Sequence, residues 1–294
     1  MKTLAQLLAH VPHTANGDLN IPIQHVAYDS RKVEHGSLFV AIKGVHTDGH
    51  RFIANALAHG AVAVVYDDPD QAPPSHVPSA LVENAKIALS PIAAAFYDYP
   101  AHKLDIIGIT GSKGKTTTTF LTAAALEASN ELVGFISTVD FKIGAKQWSN
   151  KTRQSTPESL EVQAMLFDMV QAGCRYAVVE STSHGLSPRW NRLGDVAYDI
   201  ALITNVTREH LDYHGTVEQY RQDKAEMFRL MAHSPTTKII LDEAIQPQKY
   251  AIVNADDPHA QLYRDAAGMS VQHVSYGIHA PNVDIRATEI ESTS

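Results

Sequence analysis

A chain of 294 residues is longer than one ordinary hydrophobic core supports, so two domains are expected, with no room for a third of usual size. A composition of 44% hydrophobic and 19% charged residues is that of a folded globular protein, and no apolar stretch approaches the ~20 residues a bilayer-spanning helix needs. The net charge of -8, without a Lys/Arg run, excludes a surface that attracts nucleic acid by charge, and the single Cys174 excludes an internal disulfide or a thiolate zinc cluster.

Cys174 reads as a small packed residue, and this cysteine usage suits a reducing cytoplasm, the expected location. Residues 1–11 read as an amphipathic helix and not a signal peptide, because no small-residue cleavage site follows them. Next, short apolar runs at 38–42 and 61–65 alternate with a helical stretch at 52–59, which predicts a small α/β unit. Two aspartates before Pro69, then Pro73-Pro74, mark 67–78 as a loop. The spacing predicts a helix over 85–97 that ends before Pro100, so the linker 99–103 divides a domain 1–102 from a domain 103–294.

Beyond the linker, strand and helix patterns alternate. A strand at 105–110 precedes a helix at 116–128, a helix at 158–172 precedes a strand at 176–180, a strand at 200–204 precedes a helix at 217–232, and a strand follows at 250–253. The fold class is therefore α/β, a small N-terminal α/β domain followed by a P-loop-type domain with a mostly parallel sheet covered on both faces. Its ligand site should lie at the carboxyl ends of the strands, immediately after Ile109, Val179, Ile203 and Val253. The chain stops just after a strand-like run at 283–288, which reads as an interruption of the domain.

Three polar clusters fall at those strand ends. The first, Gly108-Ile109-Thr110-Gly111-Ser112-Lys113-Gly114-Lys115-Thr116-Thr117, joins a strand to a helix through a glycine-rich turn. Its backbone N–H groups form a positive concavity for phosphate, which predicts ATP binding with Lys115 on the outer phosphates and Thr116 on Mg²⁺. The second runs from Glu180 to Leu186, where Glu180 suits Mg²⁺ through oxygen, although the Ser/Thr/Gly composition equally serves an N-cap and turn. The third runs from Thr204 to Gly215, where either His210 or His214 is able to ligate a metal as neutral imidazole. Lys224 lies on the next helix, and from spacing alone it reads as an ordinary solvated lysine.

Taken together these motifs resemble the Mur ligases, and most closely the UDP-N-acetylmuramoyl-tripeptide synthetases of the MurE type. The resemblance begins at Asp29-Ser30-Arg31 and continues through Gly36 to Ala41, Gly44 to Gly49, the phosphate loop and Ser155-Thr156-Pro157-Glu158. It extends over Glu180 to Leu186, Asn205 to Gly215, Lys224 and Asn254-Ala255-Asp256-Asp257, so it covers nearly the whole chain.

The resemblance implies an ATP-dependent amide ligation in peptidoglycan precursor synthesis, in which a substrate carboxylate attacks the γ-phosphate and an amino acid amine captures the acyl phosphate. The small-molecule partners it implies are a UDP-N-acetylmuramoyl dipeptide and a diamino acid, with neither nucleic acid nor membrane. It implies that Gly111, Ser112, Lys113, Gly114, Lys115, Thr116 and Thr117 hold ATP, with Asn254 on the adenine. Mg²⁺ is expected on Thr116, Glu180, His210 and Lys224, the last as a carbamylated lysine, and the catalytic group is Lys115, His210 and Lys224. Ser30, Val45, His46 and Thr47 match the uridine diphosphate loops, and Ser155, Thr156, Ser183 and Arg192 match positions facing the muramoyl group and its diphosphate.

Three departures stand out. Ser112-Lys113 replaces the usual Thr-Asn and adds a cation beside the phosphates. The segment from Leu186 to Arg192 is about two residues longer than expected, so Arg189 competes with Arg192. The C-terminal domain that binds the incoming amino acid in these ligases has no counterpart here, which predicts little or no ligase activity for this chain alone. The alternative is a non-catalytic nucleotide-sugar-binding module working with a partner chain. A folylpolyglutamate synthase fits less well, because of the motif at Ser30 and the string from His210 to Gly215.

Overall fold

The computed structural model describes residues 1–44, 47–152, 154–207 and 214–290. It separates into two compact units, Met1–Tyr99 and Pro100–Ser294.

The first unit contains β1 (Lys2–Thr3), β2 (His13–Asn16), β3 (Pro22–Ile23), β4 (His25–Ala27), β5 (Ser37–Val40), β6 (Ala61–Tyr66) and β7 (Ser79–Val82). Strands β4, β5, β6 and β7 run parallel, with β2 antiparallel at the far side of β7. Phe39, Val64 and Tyr66 pack with Ile53 and Ala56 into one core. The amphipathic helix expected over 1–11 is a single turn, Leu4–Leu7. A reciprocal cap between Thr3 and Gln6 fixes its start, Lys2-Thr3 pairs with β3, and Pro12 biases Val11 away from helix. The helix expected at 52–59 is a tighter turn, Gly49–Phe52, followed by Ile53–Ala58.

A buried histidine closes this unit. His50 is 4% exposed, its Nδ1 lies 2.7 Å from Asp48 Oδ1, and its Nε2 accepts from the Asp67 backbone N–H at 3.2 Å. Burial alone would raise the Asp48 carboxyl, but hydrogen bonds from His50 hold it down at about 2.

The second unit contains β8 (Asp105–Thr110), β9 (Val133–Ile136), β10 (Asp140–Ile143), β11 (Lys146–Ser149), β12 (Tyr176–Glu180), β13 (Ile200–Ile203), β14 (Lys238–Ile240), β15 (Glu243–Ile245), β16 (Tyr250–Asn254), β17 (Gln272–Gly277) and β18 (Ile285–Arg286). Among the described residues its main sheet has the order β11-β10-β9-β12-β8-β13-β16-β17-β18. The seven strands from β9 to β18 in that order are parallel, as the alternating pattern predicts, while β10 and β11 form an antiparallel hairpin at one edge. Alternate strand residues serve opposite faces: Ile106, Ala177 and Val179 join one core, whereas Ile107, Ile109 and Val178 join the other.

The Ser159–Gln171 and Val217–His233 helices supply Val162, Leu166, Met227 and Phe228 to the first of these cores, and the Lys115–Ala128 helix supplies Ala123 to the second. Cys174 is a packed core residue whose thiol is pushed up by burial. The strand expected at 283–288 is reduced to Ile285–Arg286. Among the described residues no helix is long and apolar enough to cross a membrane.

Candidate active site

Strand β8 delivers the phosphate loop. Gly111 has φ 142°, and a Cβ there would lie 1.9 Å from Thr204 Oγ1, so both conformation and space demand glycine. Gly114, at φ 85°, is the N-cap of the Lys115–Ala128 helix, and no side chain caps it. An uncapped helix start of this kind points its first N–H groups at a ligand. Gly111→Ala should cost on the order of 2 kcal/mol from backbone strain and collision. An unchanged melting temperature would show that the loop tolerates a side chain.

Two lysines converge on this turn. Lys115 Nζ donates to Gly111 O at 3.0 Å and to Ser112 O at 2.8 Å. Lys224, on the Val217–His233 helix and only 1% exposed, donates to the same Gly111 oxygen at 2.8 Å. Its Nζ also sits 4.3 Å from the centroid of the Tyr220 ring. The Tyr220 hydroxyl in turn lies 3.0 Å from Ser112 Oγ, tying that helix to the loop.

At the end of β12, Glu180 is 2% exposed and receives three hydrogen bonds. Thr116 Oγ1 donates to Oε2 at 3.0 Å, and Thr138 donates from its N–H to Oε2 and from its hydroxyl to Oε1, each at 2.9 Å. A buried carboxylate next to a hydroxyl at a helix start is a hard-oxygen donor set, the type that suits Mg²⁺. Thr138 went unnoticed in the sequence; the only signal for it was its place just after β9.

The loop after β13 forms the opposite wall. Thr204 Oγ1 donates to Lys113 O at 2.7 Å, Asn205 O accepts from Ser112 N–H at 2.7 Å, and Lys113 N–H donates to Asn205 Oδ1 at 3.1 Å. At the end of β16, Asn254 donates from Nδ2 to Thr204 O at 2.9 Å, and its Oδ1 accepts from Asp256 N–H at 3.0 Å. Tyr276, pushed by burial up to about 12, donates its hydroxyl to Ile203 O and Thr204 O at 2.9 and 3.0 Å.

A second chain of contacts lies beside Glu180. Ser183 Oγ is 3.1 Å from His214 Nε2, and His214 Nδ1 is 2.6 Å from Asp223 Oδ2. Thr156 is buried, its hydroxyl 2.7 Å from that of Thr182, while Ser155 is exposed. Arg192 is committed within the protein: its guanidinium donates to Thr156 O at 3.0 Å and to Glu158 Oε1 at 2.6 Å. Arg189 is exposed.

The structure thus gathers Gly111, Ser112, Gly114, Lys115, Thr116, Glu180 and Lys224 at the carboxyl ends of the strands. Lys113 and Thr117 stand at the exposed side of the loop and first helical turn. In the first unit Ser30 is 7% exposed and begins a short turn capped by Asp29, whose carboxyl the Arg31 guanidinium holds below the usual range. Thr47 is exposed and its carbonyl accepts from Gly44 N–H at 2.8 Å. Val45, His46 and His210 lie outside the described residues.

The comparisons with known proteins cover the same ground. Residues 109–294 match the Mur ligase middle domain, and residues 22–97 match a domain described as Mur ligase family, catalytic domain. A UDP-N-acetylmuramyl-tripeptide synthetase of Roseiflexus sp. (strain RS-1) is 52% identical over 294 residues, 99% of this chain and 56% of that protein. A UDP-N-acetylmuramoyl-L-alanyl-D-glutamate--2,6-diaminopimelate ligase of Geobacter metallireducens is 38% identical over 281 residues, 94% of this chain and 51% of that protein. A solved structure described as a ligase of that same name superposes with a TM-score of 0.77 at 25% identity, covering 97% of this chain and 54% of that one. The chain spans about half the length of the curated relatives it matches. With a family model covering most of the sequence and the phosphate loop seated at its strand ends, the chain belongs to the Mur ligase family.

Proposed function

We propose that this chain forms the nucleotide-sugar-binding and ATP-binding parts of a cytosolic ligase of peptidoglycan precursor synthesis. The reaction is the addition of a diamino acid to UDP-N-acetylmuramoyl-L-alanyl-D-glutamate through an acyl phosphate. The observation that carries this reading is the convergence of Lys115 and Lys224 on one carbonyl, Gly111 O, at 3.0 and 2.8 Å. Two ammonium groups held that close repel one another, and an anion placed between them relieves the repulsion. A triphosphate at the loop meets that requirement, as does a carbamate on Lys224.

In this reading Lys115 binds the outer phosphates and the loop N–H groups from Ser112 to Thr116 cradle them. Asn254 contacts the adenine, and Ser30, Val45, His46 and Thr47 contact the uridine diphosphate. Ser155, Thr156 and Ser183 face the muramoyl peptide. Arg192 supports that face indirectly, through its bonds to Thr156 and Glu158. Thr116, Glu180, His210 and carbamylated Lys224 would hold Mg²⁺, which when bound neutralises phosphate charge. Carbamylation forms a bond from the Lys224 amine nitrogen to the carbon of CO₂ with loss of a proton, and it exchanges a cation for an anionic oxygen donor.

The test is calorimetry with a non-hydrolysable Mg-ATP analogue. Lys115→Ala should weaken binding about 10- to 100-fold, the scale of losing a charge-assisted phosphate contact. Equal affinity in wild type and variant would sink the assignment of the loop.

A further inference from the structure

Glu180 is gripped from two elements. Thr116 Oγ1, in the first turn of the Lys115–Ala128 helix, donates to Oε2 at 3.0 Å, and Thr138 supplies the other two donors. The Thr138 N–H reaches Oε2 and its hydroxyl reaches Oε1, each at 2.9 Å, so one residue spans both oxygens of the carboxyl group. Such a fork sets the plane of the group as well as its position, and the β-branched side chain that carries the hydroxyl is stiff at χ1. Thr138 is itself exposed, where water would serve its hydroxyl equally well. Both of its donors nevertheless turn inward, onto a residue that is 2% exposed.

The turn that carries Thr138, between β9 and β10, is pinned in its own right. Ser137, fully buried, donates from Oγ to Asp140 O at 2.8 Å and accepts there from the N–H groups of Val139 and Asp140 at 3.2 and 3.0 Å. A serine side chain that closes on the backbone just ahead of it fixes a turn locally. Asn150, just after β11, donates its backbone N–H to Val139 O at 2.7 Å, and its Nδ2 donates to Thr138 O and to Gln154 O, each at 3.1 Å. The backbone of Thr138 is thus held before its side chain makes any contact.

We propose that Thr138 is a positioning residue for Mg²⁺, which presents the Glu180 carboxyl group to the cation in a fixed orientation. The inference deepens the proposed function and rests on it for the identity of the cation. That function puts the Thr116 hydroxyl on Mg²⁺, which withdraws one of the three donors from Glu180. The two donors of Thr138 are then what orients the group, and partners one step removed from a metal commonly set the direction of its ligands.

Calorimetry with a non-hydrolysable ATP analogue, run on this chain with Mg²⁺ and again with a chelator in its place, tests the proposal. Wild type should bind more tightly with Mg²⁺. Thr138→Val keeps the shape and the backbone N–H but removes the hydroxyl, and should cut that Mg²⁺-dependent gain about tenfold. Its affinity without metal should equal that of wild type. Thr138→Ser restores the hydroxyl and should restore the gain. Electron paramagnetic resonance with Mn²⁺ in place of Mg²⁺ should show less bound metal in Thr138→Val than in Thr138→Ser. Substitution at an exposed position usually leaves the fold intact, and Thr138→Ala carries the same expectation should the valine variant not fold.

A full Mg²⁺-dependent gain in Thr138→Val would overturn the proposal. So would equal losses with and without metal, the mark of a merely structural role, a Thr138→Ser protein that recovers nothing, or a wild type indifferent to Mg²⁺. If wild type does not bind the analogue, the proposed function falls and this inference falls with it. If wild type gains from Mg²⁺ and Thr138→Val gains as much, only the present inference falls.

Discussion

Lys238→Met should lower the stability of the second unit by ~3–5 kcal/mol, the usual cost of removing one partner from a buried ion pair. For a unit of this size that corresponds to a melting temperature lower by about 6–20 °C. Lys238 is 1% exposed and uses its ammonium fully, donating to Asp199 Oδ2 and Ala197 O at 2.6 Å and to Leu104 O at 3.0 Å. Asp199 Oδ2 also accepts from Ile106 N–H at 2.8 Å, so the pair joins β14 to the amino ends of β8 and β13. Burial pushes the Asp199 carboxyl up and the Lys238 ammonium down, and each opposes the shift of the other. With Lys238 gone, burial alone acts on the carboxylate and two carbonyls lose their donor. Asp199→Asn in the Lys238→Met background removes the charge while keeping an acceptor for Ile106, and should recover part of the loss in a thermal melt. A double variant no more stable than Lys238→Met would show that the uncompensated charge is not the cause.

Lys238 also marks where sequence reading stops. A lysine in a short β-branched run carries no signal that its ammonium is buried, because its partners, Leu104, Ala197 and Asp199, come from distant segments. The hairpin that delivers it turns through Leu241 and Asp242, at φ 50° and 64°, where the usual Asn-Gly signal is missing. The edge hairpin of β10 and β11 also went unread, since Asp140–Ile143 and Lys146–Ser149 are half exposed and only weakly apolar.

By contrast, β8, β12, β13 and β16 were legible as short apolar runs bounded by polar residues, β8 and β12 buried on both faces and β13 and β16 alternating buried with half-buried positions. The loop chemistry at their ends followed from glycine and lysine spacing. The grouping of Thr138 with Glu180, and of His214 with Asp223, depends on how loops pack, and spacing in one dimension does not encode that. Arg192 illustrates the same limit: the contacts of its guanidinium with Thr156 and Glu158, more than thirty residues away, cannot be read from the spacing of the motif.

Lys224→Arg should reduce ligation by the complete enzyme on the order of a hundredfold or more, the scale of losing one preorganised charge-stabilising group. The argument starts from burial. Lys224 is 1% exposed, with its ammonium against Gly111 O and the Tyr220 ring. Such a site holds a cation at a cost and gains when the amine is converted to an anion facing Lys115 across the same carbonyl. Arginine keeps the positive charge and the donors but cannot form the carbamate, so it separates the two roles that alanine would remove together. Lys224→Met, nearly isosteric and apolar, controls for packing: its melting temperature should stay close to that of Lys224→Arg while ligation is lost in both. Carbon-13 NMR after incubation with labelled bicarbonate should give a carbamate resonance in wild type and none in either variant. Ligation by Lys224→Arg at the wild-type rate would refute the carbamate and leave Lys224 as a fixed cation bracing the phosphate loop.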